Sequence, residues 1–189
     1  MGLRMMRRCV LIFSFLLVVM LAAVPAFAQD GSEPIVVTAE DLATAVAAAK
    51  DGDTIEVNGG IYQGFLDIDK RLTLTGHDWP VLDGRDEGTV ARISSPGVVF
   101  GGFLIKNSGS VLDQENSGIA VVAPQATVQN NRFEDTLFGI YLKEAHNSIV
   151  RGNEISSKDL EVQRRGDPIR VWYSNDVLVE DNVVDKRRD

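Results

Sequence analysis

The feature that most constrains this chain is a pattern that recurs along its second half. Residues 128–133, 150–155 and 179–184 each read apolar, any, small or polar, Asn, any, apolar. A fourth segment, 99–104, fits if Gly102 takes the asparagine position, and the four starts are 29, 22 and 29 residues apart. A recurring period in the twenties predicts stacked structural repeats rather than one globular core.

Each repeat contains short β-branched runs with period-two alternation, which predict strands, separated by Gly, Asn and Asp at turns. One repeat cannot bury its own apolar face, so neighbouring copies must stack as parallel strands about 4.8 Å apart. The prediction is an all-β, right-handed parallel β-helix with about 22–29 residues per coil. Further strands are predicted upstream at 54–57, 65–68, 72–75, 81–82, 90–93 and 98–100.

The repeated asparagines, Asn131, Asn153 and Asn182, should lie above one another in such a coil. Stacked Asn side chains form hydrogen-bonded ladders in other stacked-strand structures. The alternative is that these residues merely occupy turns, where Asn is common.

An α-helix is predicted over residues 38–50, with a capping-box-like start from Thr38 to Asp41. Leu42, Ala45, Val46 and Ala49 then follow at helical spacing and form one apolar face, which the Asp-Gly-Asp sequence at 51–53 ends. Because the open end of a solenoid needs a cover, we expect this helix to cap the first coil.

Residues 1–28 have the features of a secretory signal peptide. Three arginines precede a long apolar run, which ends in Ala-Phe-Ala at 26–28. The chain would then be periplasmic, with no membrane insertion after cleavage; the alternative is an uncleaved membrane anchor. Cleavage would remove three positive charges, the one Cys and all four Met, and change the net charge from −8 to −11. The acidic balance argues against nucleic acid as a partner.

One domain is predicted over residues 29–189, because no long linker interrupts the strand pattern. The chain ends just after a strand, with only Lys186, Arg187 and Arg188 to protect the sheet edges. We therefore expect the solenoid to be truncated at this end, or covered by something else.

Two long connections are predicted to leave one edge of the solenoid. From the end of one pattern to the next Gly- or Pro-Ile start, the counts are 14, 6 and 13 residues, so loops 107–117 and 156–167 should flank the tight turn 134–138. This arrangement predicts a cleft, because loops on a rigid scaffold commonly carry binding sites. The candidate lining residues are Asp113, Glu115, Asp135, Asp159, Glu161, Arg164, Arg165 and Asp167.

Carboxylates in a cleft fit three roles: acid–base work on a glycosidic bond, Ca²⁺ binding, or presentation of charge to a protein. Ordinary polar loops are the plain alternative, and no catalytic residue is assigned. Copper favours sulfur ligands or several imidazoles, and the chain after residue 28 has only His77 and His146. No metal site or cofactor is therefore predicted.

Period-two alternation of a strand assigns the residues of segment 169–173 to two faces. Ile169, Val171 and Tyr173 share one face, and Arg170 and Trp172 share the other. If the first face is internal, Arg170 and Trp172 point outward and form a candidate recognition patch. An outward Trp172 that merely stacks on the neighbouring coil is the alternative.

Several segments together resemble the NosD family of nitrous-oxide-reductase accessory proteins, within the pectin-lyase-like β-helix group. They lie at 45–55, 70–76, 81–84, 101–109 and 165–175. The last, with its Gly-Asp-x-Ile-Arg-x-Trp-Tyr-Ser run, is the most specific, although Pro168 stands where glycine is expected. The resemblance covers nearly all of the chain after residue 28.

This resemblance implies a periplasmic, non-enzymatic maturation protein that acts with an ABC transporter and copper-enzyme maturation partners. Its role would be to support assembly of the copper–sulfur centre of nitrous oxide reductase. Family members are usually longer, with more coils. A secreted carbohydrate-active β-helix, such as a polysaccharide lyase, hydrolase or epimerase, and a purely structural solenoid remain alternatives, because one fold serves many functions.

Overall fold

The computed structural model describes residues 33–185. Two predictions therefore lie outside the described residues: the signal peptide at 1–28, and the protection of the last sheet edges by Lys186, Arg187 and Arg188.

Within the described range the chain forms eighteen short strands, one α-helix and three 3₁₀ turns. The helix, α1, is Leu42–Ala48, and the 3₁₀ turns are Ala39–Asp41, Leu112–Gln114 and Val162–Arg164. The strands are β1 Ile35–Val37, β2 Thr54–Asn58, β3 Ile61–Gln63, β4 Leu66–Ile68, β5 Thr73–His77, β6 Val81–Asp83, β7 Ala91–Ile93, β8 Val99–Gly101, β9 Leu104–Lys106, β10 Ser117–Val121, β11 Thr127–Gln129, β12 Arg132–Thr136, β13 Phe138–Lys143, β14 Ile149–Arg151, β15 Glu154–Ser157, β16 Ile169–Trp172, β17 Leu178–Glu180 and β18 Val183–Asp185.

These strands form three parallel sheets, which the chain visits in turn. Sheet A has the order β1-β2-β5-β8-β11-β14-β17, sheet B has β3-β6-β9-β12-β15-β18, and sheet C has β4-β7-β10-β13-β16. About five coils result, each contributing one strand to every sheet. The predicted parallel β-helix is thus confirmed.

Inward-facing apolar side chains stack into columns along the coil interior. In sheet A, Ile55, Leu74, Phe100, Val128 and Val150 are register partners in successive coils, and each is at most 1% exposed. A parallel register of this kind places equivalent residues of each coil over one another, so every coil buries the apolar face of its neighbours.

The predicted cap is also confirmed. The α1 residues Leu42, Ala45 and Val46, with Ala49 just after the helix, are buried and belong to the main core cluster. Lys70 donates from Nζ to the carbonyl oxygens of Val46 and Ala47, both over 2.8 Å, at the end of the helix where a cation is favoured.

The predicted helix start is wrong in detail. Residues 39–41 are a 3₁₀ turn, and the side chain of Thr38 makes no capping hydrogen bond. Glu40 instead accepts the backbone N–H of Ile61 over 3.0 Å, which lowers the pKa of Glu40. This carboxylate thus ties the cap to β3 rather than to its own helix.

Two strands, β1 Ile35–Val37 and β3 Ile61–Gln63, were not predicted. The register also corrects the fourth repeat. Val128 pairs with Phe100, not Val99, so the spacing is 28 residues and Phe103 rather than Gly102 stands at the asparagine position. The ladder of Asn131, Asn153 and Asn182 is confirmed by hydrogen bonds between consecutive side chains.

Candidate functional site

Variation in coil length is concentrated where the chain passes from sheet B to sheet C. The connections 107–116 and 158–168 both leave this corner, as predicted, whereas β12 and β13 between them are joined through Leu137 alone. The passage from sheet A to sheet B is constant in the same coils: Val128 to Phe133 and Val150 to Ile155 span equal lengths.

Both long connections contribute an apolar side chain to one outer cluster. Leu137, Phe138 and Tyr141, at most 2% exposed, form an outer cluster separate from the main core. Leu112 from the first connection and Leu160 from the second both pack against it. Both connections are thus anchored to one apolar cluster, and the candidate residues fall into two groups.

The first group lies on the outer face of sheet C. Tyr141 donates its hydroxyl proton to Oε1 of Glu115 over 2.5 Å, and Nζ of Lys143 lies 4.0 Å from Oε2 of the same carboxylate. Burial, and then the hydrogen bond to the negative Glu115, raise the pKa of Tyr141 to about 12. Glu115 has a left-handed φ of 54°, which turns the first connection back over the sheet.

Arg170 is the register partner of Tyr141 in the next coil. Its guanidinium carbon lies 5.1 Å from the ring centroid of Trp172, 5.4 Å from that of Phe138 and 6.0 Å from that of Tyr141. Ile169, by contrast, packs against the main core. The outward direction of Arg170 is thereby confirmed.

Tyr173 does not share the inner face predicted for it. Strand β16 ends at Trp172, and Tyr173 has a φ of 47°, which ends the alternation and leaves its side chain 73% exposed. The Trp172 ring is 42% exposed and meets the Tyr173 ring edge to face at a centroid distance of 5.3 Å.

The second group lies along the outer face of sheet B, beside the same corner. A groove of about 550 Å³ is found there, and it takes in two of the predicted residues, Asp135 and Asp159. Its other polar lining residues are Arg132, Glu134, Glu154, Ser156, Ser157 and Asp185. Nε of Arg132 lies 3.2 Å from Oε2 of Glu154, and its guanidinium stacks on Trp79 at 4.0 Å.

Lys158 was not singled out in the sequence, yet it holds this region together. Its side chain is 9% exposed, and Nζ donates to Asp135 over 2.7 Å and to Asp86 over 2.8 Å. Burial lowers the pKa of Lys158, but the hydrogen bonds to Asp135 and Asp86 outweigh it, so the net change is upward. The only sign of this role in the sequence was a single lysine among acidic loop residues.

The remaining predicted residues are exposed on the second connection or the first. Arg165 donates from Nε to the carbonyl oxygen of Leu160, and its guanidinium lies 3.9 Å from Asp159. The others, all exposed, are Asp113, Glu161, Arg164 and Asp167.

The two histidines lie apart from both groups. Nδ1 of His146 accepts the backbone N–H of Asn175 over 3.1 Å, and Nε2 of His77 lies 3.8 Å from Oε2 of Glu56. Among residues 33–185, no three His, Cys, Asp or Glu side chains are grouped so that they could hold a metal ion.

Three parallel sheets joined in repeated coils, with irregular connections at one corner, define a parallel β-solenoid. A family model described as the right handed beta helix region matches residues 88–189, which is more than half of the chain. The chain belongs to this family.

The chain is also similar to two curated proteins, each named "Probable ABC transporter binding protein NosD". With that of Pseudomonas aeruginosa it is 30% identical over 159 residues, which is 78% of this chain and 37% of the relative. With that of Stutzerimonas stutzeri it is 29% identical over 133 residues, which is 69% of this chain and 30% of the relative. The chain thus spans about a third of the length of these relatives.

No solved structure matches the chain significantly. In the described part of the chain, no helix has the length and apolar character needed to cross a bilayer.

Proposed function

We propose that the protein is a periplasmic, non-catalytic scaffold that acts with an ABC transporter in assembly of the copper–sulfur centre of nitrous oxide reductase. The observation that carries this proposal is the 30% identity to a NosD protein over 78% of the chain. The proposed link to the copper–sulfur centre comes from the resemblance to the NosD family. Both relatives are named as ABC transporter binding proteins and not for a reaction, which supports a binding role.

The same role accounts for the architecture of the B–C corner. A docking scaffold needs connections that project from a rigid body and keep their shape. Leu112 and Leu160 anchor both long connections to the outer cluster, which leaves charged residues such as Asp113 and Arg164 at the surface. We propose that this corner is where the transporter or the reductase binds.

The first experiment is affinity capture of the tagged full gene product from a denitrifying bacterium that makes nitrous oxide reductase. We expect wild type to retain transporter or reductase components. The double variant Asp113→Lys, Arg164→Glu reverses two exposed charges but keeps both anchoring leucines, and we expect it to retain at least tenfold less. Arg92→Glu, on an exposed part of sheet C, is the matched control and should bind as wild type does.

Deletion of the gene gives a second, independent readout. We expect the reductase to accumulate without its copper–sulfur centre, seen as loss of that centre's visible absorbance, and the wild-type gene to restore it. A deletion strain whose reductase carries a complete centre would refute the proposed function.

A carbohydrate-active role is the second candidate, and the sheet B groove favours it, since carboxylates such as Asp135 and Glu154 line this groove of about 550 Å³. Glycoside cleavage uses a pair of carboxyl groups across the scissile bond. Release of reducing ends from polygalacturonate or a neutral glucan by wild type, lost in Glu154→Gln, would establish this role in place of the scaffold.

A further inference from the structure

The outer face of sheet C carries an arginine, Arg170, whose setting differs from that of Lys158 and Lys143. Lys158 is bound by two carboxylates, and Lys143 lies beside Glu115. Among residues 33–185, no carboxylate lies within 4.0 Å of the Arg170 guanidinium, although acidic residues outnumber basic ones 27 to 19 in the chain. The carboxylate of Glu115, which contacts the Tyr141 hydroxyl, is also paired with Lys143.

Arg170 is held instead by aromatic rings. Phe138, Tyr141 and Trp172 all lie within 6.0 Å of its guanidinium carbon. A guanidinium is planar and weakly hydrated, so stacking against rings uses its faces and leaves its N–H donors, which lie in the plane, available. No hydrogen bond from the Arg170 side chain to another described residue is formed. Three rings therefore lie around a guanidinium whose donors have no hydrogen-bond partner among the described residues.

The ligand that such a fork fits is a carboxylate, which binds two parallel N–H groups at once. The surroundings indicate the kind of molecule that presents it. Trp172 and Tyr173, 42% and 73% exposed, form an apolar surface beside the fork. Trp, Tyr and Arg are the residue types that dominate protein–protein binding energy, which favours a protein as the partner.

We infer that Arg170, Trp172 and Tyr173 form a docking point for a protein partner, which inserts a carboxylate side chain flanked by apolar residues. The inference rests on the proposed scaffold function and adds the chemistry of the partner's contact. Because three rings already pack around the guanidinium, part of its side-chain freedom is lost before binding, which favours affinity at a small contact.

The direct test uses two synthetic peptides, one alternating Glu and Leu and one alternating Gln and Leu, titrated into isotope-labelled protein. We expect the Glu peptide to shift the Nε–H resonance of Arg170 and the indole N–H resonance of Trp172, and the Gln peptide to shift neither. Arg170→Lys keeps the charge but loses the planar fork, so affinity should fall at least tenfold.

Arg92→Lys is the matched control, since Arg92 lies on the same outer face, in register with Ala120, which in turn pairs with Tyr141. It should leave binding unchanged. Equal binding of the Glu peptide by the Arg170→Lys variant would overturn the inference. So would a shift at Arg170 produced by polygalacturonate but not by the Glu peptide, because the patch would then recognise a sugar acid.

Capture experiments separate this inference from the proposed function. If wild type captures transporter or reductase components and Arg170→Lys captures them equally, the scaffold role stands and the docking point is refuted. If wild type captures neither while the Glu peptide still binds at Arg170, the peptide chemistry stands and the assigned role fails. Tenfold weaker capture by Arg170→Lys supports both.

Discussion

The side-chain amide of Asn131 donates from Nδ2 to Oδ1 of Asn153 over 3.1 Å, and both side chains are buried. The same Oδ1 accepts the backbone N–H of Asn131 over 3.0 Å. Asn153 in turn donates to Oδ1 of Asn182 over 2.9 Å and to the carbonyl oxygen of Val128 over 3.0 Å. The ladder thereby satisfies the backbone groups that the turn between sheets A and B removes from the strand pairing.

Asn153→Ala should lower the free energy of unfolding by about 2–4 kcal/mol, because it leaves several buried polar groups without partners. Chemical denaturation followed by circular dichroism measures this loss. Asn58→Ala, an exposed asparagine at the end of β2, is the control and should change stability by less than about 0.5 kcal/mol. Equal effects at both sites would mean that the ladder is not a stabilising element.

Lys158→Met should destabilise the B–C corner by about 1–2 kcal/mol, because it leaves Asp135 and Asp86 without their partner. The loss stays modest because both carboxylates are partly exposed to water. Lys50→Met, at an exposed lysine, serves as control.

The raised pKa of Lys158 means that its contribution to stability is complete at neutral pH and is lost as pH rises through the folded-state pKa. The difference between wild type and Lys158→Met should therefore shrink in strong alkali.

The raised pKa of Tyr141 predicts a second loss of stability in alkali. Its pKa is about 12 in the fold, against 10.0 for an ordinary tyrosine, so between these values the unfolded chain releases a proton that the folded chain keeps. Stability should be unaffected below about pH 10 and fall by roughly 2–3 kcal/mol by pH 12. Tyr141→Phe should remove this portion of the pH dependence.

Ultraviolet titration of the phenol groups checks the same prediction directly. The phenol group of Tyr141 should ionise near pH 12, and Tyr141→Phe should abolish that late step. A wild-type titration without this late step would contradict the assignment.

Gly102→Ala should be among the more damaging small substitutions in the chain. Gly102 has a φ of 87°, and an added Cβ would run into the backbone carbonyl of Gly76 in the preceding coil. We expect a loss of about 2–4 kcal/mol, which combines overpacking with a backbone conformation that alanine disfavours. Thermal denaturation measures it.

Gly59→Ala separates the two causes. Gly59 also has a positive φ, of 55°, but an added Cβ would meet nothing within 4 Å. Its cost should be only the conformational part, about 1–2 kcal/mol. Similar losses at both glycines would show that the close approach between coils does not matter.

The sequence predicted the coil and its ladder because asparagine recurs at fixed positions between apolar residues. It misplaced one register, because Val99 and Phe100 are both apolar and a shift of one residue still fits the pattern. In the structure Phe103 occupies the ladder position there, and its ring stacks on Phe100 at a centroid distance of 4.4 Å. Asn131 ends the ladder by accepting the backbone N–H of Phe103 over 3.1 Å.

The candidate site was less predictable. Loop lengths located the corner, but irregular connections have no periodicity from which side-chain direction can be read, so the inward packing of Leu112 and Leu160 was not foreseen. Lys158 was missed for a related reason. Its partners Asp135 and Asp86 lie 23 and 72 residues away in the chain, and only the stacking of coils brings them together.

In the coils that begin with β8, β11 and β14, the passage from sheet A to sheet B is constant while that from sheet B to sheet C varies, which has an evolutionary consequence. An insertion at the variable corner lengthens one coil without moving the strand that follows, so its effect stops at that coil. Each coil can then change its exterior independently, one at a time. A lineage can therefore acquire new surface specificities while inheriting the same interior.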